Sequence, residues 1–252
     1  MLRAMSYEET MSELESHGTE QNQKIYRRHG ASDPLFGVSF KNLRAMAKRI
    51  GKDHALATKL WASGNYDARM LATLTADPAT MSSRDLDTWV KSIEDYATTD
   101  VFAASVVKHT KHAEKKMLAW KKSKRELTAE AGWQLLSHLA LDGVYTAKQL
   151  EPFIEEIEAR IGKADNRVRH AMNNALIAIG GVNDSLARKA KAAAKRIGKV
   201  EVDHGETSCK TPAAGPYIDK IRARAKAKKK AAPAKKKPAK KRRVSTRPAR
   251  GR

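Results

Sequence analysis

Residues 39–51, SFKNLRAMAKRIG, carry the pattern that decides the fold class of this chain. The apolar side chains of this stretch recur at steps of three and four positions, at Phe40, Leu43, Met46, Ala47 and Ile50. Such spacing places them on one face of an amphipathic α-helix, and the glycine that follows is a common helix terminator. The stretch therefore predicts a helix with one apolar face and one charged face.

The same pattern continues on both sides of this stretch, with polar caps in front and Gly or Asp-Pro behind. Helices are predicted at about 6–18, 20–30, 53–64, 65–78, 82–95, 98–110, 113–122, 126–141, 146–161, 165–180 and 183–197. No stretch alternates apolar and polar residues in the manner of a half-buried strand. The sequence therefore predicts an all-α protein without a sheet.

About a dozen short helices with short loops suit either a globular bundle or a stack of helical hairpins. A single bundle of this length would contain helices that are apolar on every side, whereas most segments here show one apolar stripe and one charged face. Stacked pairs need only such a stripe. We therefore expect a helical-repeat solenoid.

The positive charge of the chain is concentrated at its C-terminal end. The formal net charge is +22, and residues 221–252 contain sixteen Lys and Arg and no Asp or Glu. This Lys/Ala/Pro-rich segment has too few apolar residues to fold, so we expect a helical domain at 1–220 and a disordered basic tail at 221–252, apart from a helical extension that could reach about Lys230. The tail either keeps the protein in solution or binds a polyanion, and its charge density favours nucleic acid.

The sequence also indicates a compartment. It contains one cysteine, no apolar run long enough to span a membrane and no secretory signal at its start. We expect a soluble monomer of the cytoplasm, associated with the nucleoid if the organism is bacterial, with no membrane partner.

Four stretches together resemble the DNA alkylation repair protein family, the HEAT-like repeat DNA glycosylases, over about residues 5–220. They are LWASGNYDARMLATLTADP, AGWQLLSHLAL, VRHAMNNALIAIGG and GKVEVDHGETSCKTPAAGPYI. The resemblance implies an all-α HEAT-like solenoid whose concave basic face holds duplex DNA. It also implies excision of N3- or N7-alkylpurines by hydrolysis of the N-glycosidic bond, without a cofactor or a metal.

The family's acid and its aromatic partner stand four residues apart, and the matching pair here is Tyr96 and Asp100. Residues at that spacing share one helix face. By the resemblance, Asp100 is the catalytic carboxylate, which stabilises the positive charge that develops on the deoxyribose. The alternative is that Asp100 is an ordinary acid in the first turn of a helix.

Further DNA contacts are expected from the segment at 165–180. Arg167, Arg169 and His170 could meet phosphates or could form a solvated helix face. Asn174 takes the place of a family tryptophan, and Tyr96 takes the place of another. These two departures favour a protein that binds DNA without excising a base.

The four tryptophans divide into two groups. Trp61, Trp89 and Trp133 lie on apolar stripes and are expected in the core. Trp120 is followed by four cations within five residues, so it is expected to approach the DNA groove.

Residues 200–218 hold Asp203, His204, Glu206 and Cys209 within seven positions. Only two of the four are good nitrogen or sulfur ligands, which is too few for a zinc site, and no base is fixed beside the cysteine. We interpret the segment as a structural loop.

Three functions remain open from the sequence. The first is a repair glycosylase for alkylated purines in double-stranded DNA. The second is a non-catalytic HEAT-like protein that scans or shields damaged or branched DNA. The third is a scaffold for protein partners, which the basic tail disfavours.

Overall fold

Thirteen α-helices build the part of the chain that the structure, a computed structural model, describes, residues 5–231. In chain order they are α1 (Tyr7–Ser16), α2 (Glu20–Arg28), α3 (Phe40–Ile50), α4 (His54–Ala62), α5 (Tyr66–Thr75), α6 (Ser83–Ser92), α7 (Tyr96–Ser105), α8 (Ala113–Trp120), α9 (Glu126–Leu141), α10 (Ala147–Arg160), α11 (Asn166–Val182), α12 (Asp184–Ile197) and α13 (Ala214–Ala231). Short 3-10 turns follow α7 and α10. Within residues 5–231 no strand forms, so the all-α prediction is confirmed.

The helices pack in two layers. An inner layer is formed by α3, α5, α7, α9, α11 and α13, each of which packs against the next. Helices α4, α8, α10 and α12 lie outside it, with α4 against α5, α8 against α9, and α10 and α12 against α11. This alternation is the arrangement of a helical-hairpin stack, so the expected solenoid is confirmed.

The inner helices differ from the sequence expectation of a single apolar stripe. Twelve of the sixteen residues of α9 are buried, and α5 and α11 are buried on most sides. Their sequences hide this because Ala, Gly and Thr fill many of the buried positions and do not stand out as apolar. At Gly132 of α9 an added Cβ would lie 2.7 Å from the Cα of Lys121, so the small residue permits a close approach to the end of α8.

Aromatic side chains fill the space between the layers in the first half of the stack. Trp61 and Trp89 stack with centroids 4.2 Å apart, and Phe102 packs against both. Trp133 is completely buried. The core assignment of these three tryptophans is confirmed.

Asp67 of α5 holds the loop that follows the N-terminal helices α1 and α2 against the stack. The fully buried carboxylate of Asp67 accepts backbone N–H bonds from Phe36, Gly37 and Val38, at 2.6, 2.9 and 2.8 Å. The loop between α2 and α3 is thereby held against α5. This attachment brings the end of α2, with His29, next to the start of α7.

Helix α13 ends at Ala231, close to the end of the helical extension expected to about Lys230. The side chain of Ile221 packs against the core, and Arg222 donates to the carbonyl oxygens of Gly181 and Val182 and pairs with Asp184 at 2.5 Å. The first residues of the expected tail are thus part of the folded body. Most of the tail predicted at 221–252 lies outside the described residues.

Candidate functional site

Helix α7 begins two residues earlier than predicted, and this decides the setting of Asp100. The N-cap is Asp95, whose carboxylate accepts the backbone N–H of Thr98 at 2.7 Å. Tyr96 is therefore the first helical residue, and Asp100 lies a full turn inside the helix. The alternative that Asp100 is a first-turn acid is wrong, because Asp95 occupies that place.

Tyr96 is held on both its hydroxyl and its ring. The hydroxyl forms a short hydrogen bond with Nδ1 of His29, at the end of α2. The guanidinium of Arg167, from the first turn of α11, lies over the ring with its Cζ 3.7 Å from the centroid. A cation in this position is attracted by the face of the aromatic ring. Three separate segments of the chain thus meet at Tyr96.

Arg167 also reaches the acids of α9. Its Nε pairs with Glu130 at 3.3 Å, and its backbone N–H donates to Glu126 at 2.6 Å. The side chain of Glu130 is completely buried, while 13% of the Arg167 side chain is exposed. Arg167 therefore links α7 to α9 from its place on α11.

Two carboxyl groups share this one guanidinium. Burial raises the pKa of Asp100, against the opposing effects of Arg167 and Gln134. Burial and the neighbouring Asp100 raise the pKa of Glu130 further. One oxygen of each group, Oδ1 of Asp100 and Oε2 of Glu130, is buried without a hydrogen-bond partner. The pair therefore retains a proton at a pH where an isolated carboxyl group would lose it.

The next turn of α11 presents His170 to the loop at residues 198–213. Its ring packs edge-on against His204, with centroids 5.5 Å apart, and Nε2 of His204 hydrogen-bonds to Thr211 at 2.9 Å. Burial, with the charge of Arg167 and the neighbouring His204, lowers the pKa of His170 to about 4. In the free protein these effects favour the uncharged form of His170 at neutral pH.

Arg169 points to the other side of α11 and fixes the same loop. Its two terminal nitrogens donate to the carbonyl oxygens of Glu201 and Ala164, both at 2.9 Å. These bonds argue against the phosphate contact expected of Arg169. Asn174 is half-buried, one turn after His170 on the same face.

Trp120 lies in the core and not in a groove. Its side chain is 5% exposed, its ring packs on Phe102, and its Nε1 donates to Asp87 at 2.8 Å. The next residue, Lys121, is also buried and pairs with Glu156. This burial argues against the expected contact of Trp120 with DNA, and two of the four cations that suggested it, Lys121 and Arg125, are engaged within the protein.

The structure thus brings Tyr96, Asp100, Arg167 and His170 together. It adds groups that sequence reasoning missed, namely His29, Glu126, Glu130, Gln134 and His204. A signal existed for Glu130, because an acid in an otherwise apolar helix segment is unusual. No local pattern could indicate His29, which reaches Tyr96 across 67 positions of sequence.

The loop at 198–213 borders this cluster. Its backbone at Asp203 exchanges two hydrogen bonds with the Asn166 side chain, at 2.7 and 2.8 Å. No group of three or more His, Cys, Asp or Glu within residues 5–231 is arranged to hold a metal ion. None of the helices among those residues is long and apolar enough to cross a membrane.

A family model described as DNA alkylation repair enzyme matches residues 10–203. The chain belongs to this DNA alkylation repair family. Its relatives include an uncharacterised protein of Listeria monocytogenes, 30% identical over 227 residues, which cover 88% of this chain and 100% of the relative. An uncharacterised protein of Listeria innocua is 31% identical over 225 residues, 87% of this chain and 99% of that protein.

A solved structure shares the architecture of this family member. It comes from a family described as related to the HEAT-like repeat DNA glycosylases, with affinity for branched DNA structures. The TM-score is 0.80 at 32% identity, and the match covers 88% of this chain and 95% of that chain. The HEAT-like fold expected from the sequence is confirmed.

Proposed function

We propose that this protein binds duplex DNA that is damaged or branched, and that it does so at the cluster around Tyr96 and Arg167. The observation that carries the proposal is the guanidinium of Arg167 stacked 3.7 Å over the Tyr96 ring where α2, α7 and α11 meet. An aromatic ring and a guanidinium are the groups with which proteins stack on unpaired bases and bind phosphates. His170, Asn174 and His204 extend this half-buried surface along α11 and the adjoining loop.

Two further observations support DNA as the partner. The chain belongs to a DNA repair family, and its structural relative has affinity for branched DNA. The net charge of +22 also favours a polyanion. Asp100 and Glu130 oppose this charge only weakly, because the pair retains a proton and Arg167 lies beside it.

Excision of alkylated purines is the second candidate, and one observation favours it. Asp100 has a buried oxygen without a partner and a raised pKa, which are common properties of catalytic carboxyl groups. Another observation disfavours it. Arg167 lies over Tyr96 and beside Asp100, so a nucleotide could approach the carboxylate only after that guanidinium had moved. A phosphate contact with the exposed part of Arg167 needs no such movement.

The binding proposal is tested with a double variant that removes both members of one ion pair. Arg167→Gln combined with Glu130→Gln removes the cation and one of its two acids, and burial, no longer opposed by Arg167, keeps Asp100 in its neutral form. No buried charge is left without a partner, so the fold is expected to persist. We expect the affinity for a four-way junction to fall about tenfold or more, as for the loss of one charged contact and one stacking contact.

The matched control is Arg188→Gln, an exposed arginine on α12 of the outer layer. The affinity of this variant for the four-way junction should stay within about twofold of that of the intact protein, since distant surface charges act weakly at physiological salt. Equal affinities for all three proteins would contradict the proposed location. Failure of the intact protein to bind either a junction or a duplex would overturn the function.

Excision is tested by single-turnover release of 7-methylguanine and 3-methyladenine from alkylated duplex DNA. Release by the intact protein would establish the second candidate. Binding without release at high protein concentration would leave DNA binding as the function.

A further inference from the structure

A large cavity lies beside the Tyr96–Arg167 cluster, on an adjacent face of α11 that carries Asn166, Arg169, Asn173 and Leu176. It has a volume of about 1090 Å³ and is enclosed by α11, α12, the loop at 198–213 and the start of α13. Ligand-binding cavities in proteins commonly measure about 300–1,000 Å³, so this one is large enough for a small organic molecule. Its apolar walls include Leu176, Ala194, Ile197, Val200 and Val202.

Two buried polar atoms of residues in the cavity wall have no hydrogen-bond partner. Asn173 is completely buried and donates through Nδ2 to the carbonyl oxygen of Pro212 at 3.0 Å, but its Oδ1 accepts nothing. One turn earlier, Nε of Arg169 donates to nothing, although both terminal nitrogens are bonded. Both residues line the cavity and both atoms are buried in its wall, so a small rotation of these side chains would present one acceptor and one donor to an occupant that carries the complementary pair. The edge of a nucleobase presents a donor and an acceptor side by side.

The cavity also offers positive charge. Lys191 and Lys199 are paired with Asp219 and Glu201, both at 2.8 Å. Lys195 of α12 and Lys210 of the loop are exposed and form no ion pair with any residue of the described chain. Two free ammonium groups beside an apolar wall suit a ligand with a phosphate at one end and a flat apolar body at the other.

The loop at 198–213 separates this cavity from the cluster and contacts both. His204 lines the cavity while its ring packs on His170, and Cys209 lines the cavity from the same loop. A strand of DNA at the cluster would therefore reach the cavity by crossing this loop.

We propose that the cavity between α11, α12 and the loop at 198–213 binds a single nucleotide. The base lies against Leu176 and Ile197 with its polar edge on Asn173 and Arg169, and the phosphate lies between Lys195 and Lys210. The nucleotide comes either from solution or from an unpaired arm of branched DNA, and the second source rests on the proposed function. An unpaired nucleotide held here distinguishes a branched DNA from a continuous duplex.

Cys209 provides the readout, because it is exposed, lines the cavity and is the only cysteine of the chain. The full-length protein is treated with N-ethylmaleimide alone and with each of three probes. The probes are thymidine 5′-monophosphate, a three-way junction with a single-stranded arm, and the same junction fully paired. We expect the armed junction to slow modification of Cys209 about fivefold or more relative to the paired junction, as for a site that is mostly occupied.

The two sources give different results. Slowing by thymidine monophosphate as well as by the arm identifies a site for free nucleotides. Slowing by the arm alone identifies a site for a nucleotide within a strand. Equal rates with both junctions and no effect of the nucleotide would overturn the inference.

Two variants and a control check where protection arises. Ala194→Phe places a ring in the half-buried wall, and Lys195→Glu reverses one free charge. For each variant, the rate of Cys209 modification with a probe is compared with the rate of the same variant without a probe. Both cavity variants should show no slowing by the probe. The control Arg188→Glu, which is exposed on the same helix but lies outside the cavity, should still show it. Protection that survives both cavity variants would also overturn the inference.

Binding to the paired junction is measured in the same samples. If the junction binds but the arm gives no protection, only the nucleotide site fails. If neither junction binds, the proposed DNA function fails, and protection by thymidine monophosphate alone then decides whether the cavity site exists.

Discussion

Asp100 and Glu130 are two acids beside the guanidinium of Arg167. They interact strongly, so they lose their protons as a coupled pair and not as independent groups. Burial raises the pKa of both acids in the folded protein above their values in the unfolded chain, because Arg167 can compensate only one negative charge. An acid whose pKa is raised on folding stabilises the protein at low pH, and this contribution is lost as the pH rises above the unfolded value. The cluster therefore makes the fold less stable in alkali.

Replacement of Glu130 by Gln should remove most of this loss. The pKa of Glu130 is raised from 4.5 to about 9, so the affected window runs from about pH 4.5 upward. We expect the variant to match the intact protein at pH 5 and to be more stable at pH 8 by about 1–3 kcal/mol. Urea denaturation at the two pH values measures the difference. Exposed Glu155→Gln is the control, and an equal gain there, or none at Glu130, would contradict the assignment.

Replacement of Asp100 by Asn separates binding from chemistry. A carboxylate that faces DNA repels phosphates, so affinity should stay equal or rise slightly. Any excision rate should fall about ten- to a thousandfold, since one preorganised charge is lost from a charged transition state. Single-turnover release of 7-methylguanine by the intact protein and the variant gives the comparison. Equal rates would remove Asp100 from the mechanism.

Among the residues of the site, the sequence predicts only contacts between residues that are close along the chain. Tyr96 and Asp100 are four positions apart on one helix, so their common face could be predicted. Glu130 and His29 meet them only because α2, α7 and α9 pack together, and single-sequence periodicity carries no information about that packing.

Helix α9 illustrates why small residues matter at the scale of the element. An added Cβ at Gly132 would lie 2.7 Å from the Cα of Lys121 and 2.8 Å from the carbonyl carbon of Trp120. Both are backbone atoms, so a clash there could be relieved only by moving α8 away from α9. The glycine is needed for the contact and not for a special backbone angle.

Gly132→Ala should therefore destabilise the fold by about 1–3 kcal/mol, as overpacking does in a dense core. Gly215→Ala is the matched control, because it lies in α13 with nothing within 4 Å of its added Cβ. The control should be neutral or stabilising by about 0.5 kcal/mol, since alanine favours a helix. Urea midpoints of the two variants provide the test, and a neutral Gly132→Ala would refute the packing argument.

Helix positions were the most predictable feature of the elements, because caps and apolar spacing are local. The main shift was α7, which begins at Tyr96, two residues before its predicted start, with Asp95 as its N-cap. The buried character of α9 was not predictable, since small residues leave no strong periodic signal.

For the whole molecule, the stability of truncated chains shows where the folded body ends and the basic tail begins. A chain that ends at Ala231 should melt at nearly the same temperature as the full chain. A chain that ends at Lys220 should lose about 1–3 kcal/mol, because it lacks the packing of Ile221 and the hydrogen bonds of Arg222. Thermal denaturation of the three lengths checks this, and equal stability of the two truncated chains would show that Ile221 and Arg222 contribute nothing.

The same truncation at Ala231 should change the salt dependence of DNA binding. It removes residues 232–252, which hold ten Lys and Arg. If about six of these cations neutralise phosphates, the slope of log affinity against log salt should fall by about five. Titrations at several salt concentrations provide the slope, and an unchanged slope would assign the tail to another partner.

The contacts of His29, Tyr96, Arg167 and Glu130 join α7, α9 and α11 to the end of α2 at one point of a stack in which most contacts are between nearby helices. An array of nearest-neighbour contacts bends easily, much as a spring does. Contacts that join several helices of the stack at one point resist such bending. We therefore expect the cluster to limit bending of the stack between α2 and α11, and a partner would then be selected by how well its own bend matches this rigid surface.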